Sequence, residues 1–151
     1  MVVADKKITG TIVTGVIGED VHIVGIRIIE HVLNDYGFKV HSLGAQVTQE
    51  EFINAAQETD ADAVLVSSFS GHAELLVRSF REKCIEAGLS DIILYIGGSL
   101  LLSEERWDEV EKKFKELGFN RVYPPGTLPT QAVKDLVEDI SLRRRKRSDK
   151  K

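Results

Sequence analysis

Short apolar runs alternate along this chain with longer segments in which apolar positions recur every three or four residues. The runs at 11–17, 39–43, 63–66, 92–96 and 121–123 are rich in valine and isoleucine, and most are nearly continuous in apolar character. Strands buried on both faces need that continuity, so the runs predict a parallel sheet. The segments 23–36, 49–58, 73–87, 104–117 and 129–140 carry the helical period. Gly37, Gly88 and Gly118 each follow a helical segment, where a left-handed terminal residue is wanted. Thr48 with Glu51 reads as a capping box, and Ser103 with Arg106 is a weaker version in which a base replaces the acid. Pro129 at a first helical turn costs no hydrogen bond.

Five strands alternating with five helices predict an α/β, flavodoxin-like (Rossmann-like) doubly wound sheet of five parallel strands in the order 2-1-3-4-5. Ligands of such sheets bind beyond the carboxyl ends of the strands, where the winding reverses. Here that switch lies between the first and third strands, and the segments that follow them are 18–22 and 67–71. With 151 residues the chain has enough material for one full core and too little for two. We therefore expect one domain over 1–142 and a separate basic tail over 143–151.

Charge supports that division. The last nine residues hold seven of the 20 basic side chains and one of the 24 acidic ones, which leaves the body at −10. A like-charge block at a terminus reads as a solvated, disordered tail. An acidic body repels nucleic acid, so no nucleic-acid role is expected. No apolar run approaches a membrane span and no signal-peptide core is present, so the expected address is cytoplasmic. The single cysteine, Cys84, excludes an intrachain disulfide and reads as a buried thiol.

Candidate chemistry gathers at the switch point. His22 offers a neutral imidazole to a transition metal, and Asp20, two residues earlier, can fix its tautomer. Gly25 lets the first helix approach a ligand or the sheet closely. Ser67 and Ser68 end a buried strand, where hydroxyls have no apolar reason to be, and Gly97-Gly98 follows the fourth strand. The plain alternatives are a solvated Asp–His pair, serines opening a turn and a tight glycine turn. A zinc site from Asp20, His22 and His72 has no support in the spacing, and His31 and His41 read as structural.

Asp20-Val21-His22-Ile23-Val24-Gly25, Ser67-Ser68-Phe69 and Gly97-Gly98-Ser99 together resemble the cobalamin-binding family over residues 11 to 140. Gly15-Val16-Ile17-Gly18, Arg81-Glu82-Lys83-Cys84 and Tyr123-Pro124-Pro125-Gly126-Thr127 make the chain most similar to the small subunits of glutamate mutases. The resemblance implies that His22 is the lower axial ligand of cobalt, oriented by Asp20, with Glu19, Val21 and Ile23 beside it. It also implies that the cofactor's dimethylbenzimidazole tail enters a slot between the first and third strands. Ser67 would bond the displaced base, with Ser68 and Phe69 beside it; Phe69 stands where leucine is usual. Gly97, Gly98 and Ser99, the last in place of the usual asparagine, would line the tail channel along with Leu100, Leu101, Leu102 and Ser103. The turn at Tyr123, Pro124, Gly126 and Thr127 would shape the tail pocket.

By the same resemblance the cofactor is adenosylcobalamin, and the reaction is the radical isomerisation of L-glutamate to threo-3-methylaspartate. No catalytic residue is expected in this chain. A large, barrel-shaped mutase subunit would hold the substrate in a hetero-oligomer. A small subunit of another carbon-skeleton mutase, or a corrinoid carrier or regulatory module, is the alternative. A phosphorelay receiver would need an aspartate after the third strand and a lysine after the fifth, where this chain has Ser67-Ser68 and Pro124-Pro125. A flavodoxin's phosphate loop would be repelled by Glu19 and Asp20. A methyl-transferring corrinoid protein would carry a helical cap ahead of the first strand, for which residues 1–10 leave no room.

Overall fold

The computed structural model describes residues 7–19, 22–69, 71–100 and 105–149. The valine- and isoleucine-rich runs form β1 (Thr11–Val16), β2 (Lys39–Ser42), β3 (Ala63–Ser68), β4 (Ile93–Gly98) and β5 (Arg121–Tyr123). All pair in parallel, in the order β2-β1-β3-β4-β5. The helices are α1 (Val24–Tyr36), α2 (Gln49–Thr59), α3 (Ala73–Val77), α4 (Phe80–Glu86), α5 (Trp107–Glu116) and α6 (Pro129–Asp149).

Strand alternation sorts the core into two layers. Ala63 and Leu65 of β3 join Leu33 of α1 and Leu136 and Ile140 of α6 on one face. Val64 and Val66 join Phe52 of α2, Phe80 of α4 and Phe114 of α5 on the other. All six residues of β3 are buried, as a central strand covered on both sides must be. Each large aliphatic side chain removed from water contributes about 1.5–3 kcal/mol. Cys84 packs in the second layer, and burial pushes its thiol up to about 11. The capping box at Thr48 is complete: its side chain accepts from the Glu51 amide, and the Glu51 carboxylate accepts from the Thr48 amide.

The structure differs from the sequence expectations in three places. The predicted helix over 73–87 is two helices, because Ser79 adopts φ 66° and breaks the ladder. Gly97 and Gly98 end β4 rather than follow it. Residues 143–149, expected as a separate tail, continue α6 to Asp149, with Arg143 buried and residues 144–149 exposed. The fold places Asp62 and Asp91, which precede β3 and β4, under that basic stretch. Arg143 is buried; it donates to Asp62 Oδ1 at 3.1 Å and to Asp91 Oδ1 at 3.2 Å. Arg147 donates to both oxygens of Asp91 at 2.7 and 3.0 Å, and Arg144 donates to the Thr9 carbonyl at 2.7 Å. Cations in the last turns also complement the negative end of the helix dipole. The Ser103 cap lies outside the described residues, and Arg106, which precedes α5, makes no side-chain cap.

Candidate functional site

Sheet register brings residues far apart in sequence into one row. Ser67 of β3 pairs with Gly97 of β4, and Gly97 pairs with Tyr123 of β5. Register neighbours in a parallel sheet point to the same face, so these three positions all look toward α1 and α6. One pleat back, Leu65, Tyr95 and Arg121 form a second row on that face.

Above these rows lies a cavity of roughly 400 Å³, walled by Gly25, Ile26 and Ile29 of α1 and by Pro129 and Ala132 of α6. Small residues create it. Gly97 has no side chain to fill the space beside Ser67, and Gly25 leaves α1 without one at its first turn. The turn after β5 closes one end through Pro124, Pro125 and Gly126; Thr127 Oγ1 donates to the Pro124 carbonyl at 2.7 Å. Ile28 and Leu128 line the cavity and are at least half exposed, so its mouth opens to solvent between apolar lips. Of the polar side chains in the wall, Tyr95 and Tyr123 have hydroxyls that bond Asp139 and Asp135 of α6. Burial is the main reason both phenols are pushed far up, and their carboxylate partners add to it. They are neutral donors at any physiological pH.

The histidine proposed to bind metal stands beside this cavity. His22 is exposed, and its ring centre is 5.7 Å from that of Phe69, which lines the cavity. A Cβ added to Gly25 would reach Phe69 Cζ at 3.5 Å. Gly98 serves the other face of the site: at φ +109° a Cβ there would fall 2.1 Å from the Ser68 carbonyl oxygen. Only glycine allows β3 and β4 to end side by side in this way.

Of the expected site residues, Gly25, Ser67, Phe69, Gly97, Gly98, Tyr123, Pro124, Gly126 and Thr127 line the cavity. Others do not. Ser68 points to the opposite face, fully buried, with its Oγ lacking a hydrogen-bond partner. Leu100 is buried in the core layer that includes Phe52, Phe80 and Phe114, and Ser99 is exposed. Glu19, His22 and Ile23 do not line the cavity. Asp20, Val21, Leu101, Leu102 and Ser103 lie outside the described residues. The cavity also sits elsewhere than expected, over β3, β4 and β5 under α1 and α6, and no β1 residue lines it. The helices cover that side, and Gly97 leaves the gap there.

Sequence reasoning found Gly25 but missed Ile26, Ile28 and Ile29 of the α1 wall, along with Tyr95, Leu128 and Ala132. Ile26 and Ile29 have the spacing of an ordinary core stripe, which gives no sign of a void beneath them. The donor set suits a cobalamin: an exposed imidazole at the mouth, an apolar slot for a flat aromatic base, and a serine facing into it. Among the described residues no three His, Cys, Asp or Glu side chains cluster as an independent metal site. Nor is any described helix long and apolar enough to cross a membrane.

Known proteins of similar sequence and fold identify the family. The B12 binding domain family model matches residues 10–113. The glutamate mutase sigma subunit of Carboxydothermus hydrogenoformans is 56% identical over 87% of this chain and 96% of its own length. That of Clostridium cochlearium is 47% identical over 87% of this chain and 96% of its own length. Among solved structures, a cobalamin-binding protein from Desulfitobacterium hafniense superposes with a TM-score of 0.71 at 21% identity, over 85% of this chain and 58% of that one. The signal receiver domain of a histidine kinase from Syntrophus aciditrophicus gives 0.62 at 12% identity, over 87% of this chain and 90% of that one. At such identities both show the shared fold alone. The chain belongs to the B12-binding domain family and, over most of its length, to the glutamate mutase sigma subunits, the small cobalamin-binding subunits of that enzyme.

Proposed function

We propose that this chain binds adenosylcobalamin with His22 as the lower cobalt ligand and the tail base in the α1–α6 cavity. It would serve glutamate mutase as the cofactor-holding half of a hetero-oligomer. The observation that carries the reading is the row Ser67–Gly97–Tyr123 facing an apolar cavity, with His22 and Phe69 beside its mouth. When bound, the cofactor supplies carbon-radical chemistry through its cobalt–carbon bond.

The chain's residues bind, orient and exclude water. His22 donates a nitrogen lone pair from an exposed position, and Asp20, two residues earlier, is suited to hold the other ring nitrogen. The Ser67 hydroxyl faces the cavity and can bond a ring nitrogen of the base. Ile26, Ile29 and Leu65 keep the base dry. Among the described residues no arginine or lysine lines the cavity, so none of them can clamp a dicarboxylate substrate there. Substrate binding and the cover over the reacting centre therefore fall to a large barrel subunit.

The test is methylaspartate formation from glutamate with adenosylcobalamin, with and without a glutamate mutase large subunit. Turnover only in the mixture is expected. Turnover by this chain alone would overthrow the division of labour. No turnover in the mixture would point to another carbon-skeleton mutase or a carrier.

A further inference from the structure

Two carboxylates one turn apart on α6 tie the cavity floor to the cavity roof. Tyr123 donates to Asp135 Oδ2 at 2.6 Å, and Tyr95 donates to Asp139. Arg121 lies between them: it donates to both oxygens of Asp139 at 2.7 and 2.9 Å and stands 3.3 Å from Asp135 Oδ1. Gln131, one turn earlier, donates to Asp135 Oδ1 at 2.9 Å. Asp135 is 5% exposed. Burial opposes the charge on Asp139, but hydrogen bonds from Arg121 and Tyr95 hold its carboxyl below the ordinary range. The two tyrosine rings meet edge to face, 5.5 Å apart, and both line the cavity.

The arrangement answers a packing problem. Leu136 and Ile140 seat the middle of α6 on the sheet by ordinary apolar contact. Its first turn cannot be seated that way, because Pro129 and Ala132 look across a void at Gly97 and Ser67. Apolar attraction there would favour collapse of the helix onto the sheet. Directional, charge-assisted bonds instead fix the helix at a set height.

We infer that Asp135 and Asp139 are positioning residues which, through Tyr123, Tyr95 and Arg121, hold the start of α6 off the sheet and keep the tail cavity open. The inference rests on the cobalamin reading above and adds a role to residues that touch no cofactor. Their effect must fall on the nucleotide tail and not on the corrin ring.

Cobinamide, the corrinoid that lacks the nucleotide tail, separates the two. Affinities for cobalamin and cobinamide would be titrated on the full-length parent, Asp135→Asn, Asp139→Asn and Tyr123→Phe, with thermal melts alongside. Tyr123→Phe keeps the ring in the wall and removes only the tether, so it decides the matter if an aspartate variant fails to fold. Cobalamin affinity is expected to fall about tenfold or more, the scale seen when a supporting contact behind a binding group is removed. Cobinamide affinity should stay unchanged. Variants that keep the parent's cobalamin-to-cobinamide ratio, whether both affinities fall or neither does, would overturn the positioning role. A parent that does not prefer cobalamin to cobinamide would instead sink the cavity assignment itself, and this inference with it.

Discussion

His22 and Phe69 face each other across the reversal of the sheet's winding, with ring centres 5.7 Å apart and planes tilted by 43°. They belong to the segments that follow β1 and β3, so their approach joins the two sides of the switch point. Phe69 also lines the cavity, and this places the metal-binding candidate beside a slot that can accept a displaced base.

Gly25 stands at the same corner. In the free protein a methyl group there would meet Phe69 at ordinary contact distance, 3.5 Å. Gly25→Ala should therefore leave stability unchanged or raise it, by up to about 1 kcal/mol. The same methyl narrows the wall at the mouth, so cobalamin affinity should fall by about tenfold, equivalent to about 1.4 kcal/mol. Thermal melts and a cobalamin titration check both halves. A variant that binds as tightly as the parent would return Gly25 to a plain helix glycine.

Gly98 makes a structural prediction with a built-in control. Its φ is +109°, and a Cβ would fall 2.1 Å from the Ser68 carbonyl oxygen. Gly98→Ala should cost about 3 kcal/mol or more, the range of severe backbone and packing conflicts. Gly88 also has positive φ, but a Cβ added there would meet nothing within 4 Å. Gly88→Ala should cost only the left-handed penalty, about 1–2 kcal/mol. Equal losses in urea melts of the two variants would contradict the close approach of β3 and β4.

Much of this site is legible in the sequence because a parallel sheet buried on both faces leaves a strong signature. Once the strands are placed, Ser67, Gly97 and Tyr123 must come to one edge. Strand alternation shows only that Ser67 and Ser68 face opposite ways; which of them faces the cavity is seen in the fold. Other features depend on tertiary placement. The break at Ser79 has no glycine or proline to announce it. The basic block reads alike whether it is solvated or paired, and only the fold reveals Asp62 and Asp91 beneath Arg143. The void under Ile26 and Ile29 arises from helix spacing, which periodicity does not encode.

The ion pairs under α6 make a pH prediction. Hydrogen bonds from Arg147, with Arg143 adding attraction and a further bond, hold the Asp91 carboxyl down to about 2, against burial. A carboxyl whose folded value is depressed contributes stability above its unfolded value, near 3.8, and loses that contribution as pH falls through about 2. Asp91 is 44% exposed, so solvent screening reduces the effect to about 1 kcal/mol. Asp91→Asn should thus be less stable than the parent by about that amount at neutral pH, and the gap should close toward pH 2. A gap of the same size at both ends of a series of melts would show that the pairing contributes nothing through charge.

His22, and not the cofactor's own base, is predicted to sit below cobalt. Electron paramagnetic resonance of the cob(II)alamin complex reports the axial nitrogen directly, through its hyperfine splitting. Protein labelled uniformly with nitrogen-15 and loaded with unlabelled cobalamin should change that splitting from the three-line pattern of nitrogen-14 to the two-line pattern of nitrogen-15. A three-line splitting that the label leaves untouched would show that the cofactor keeps its own base and that His22 does not bind cobalt.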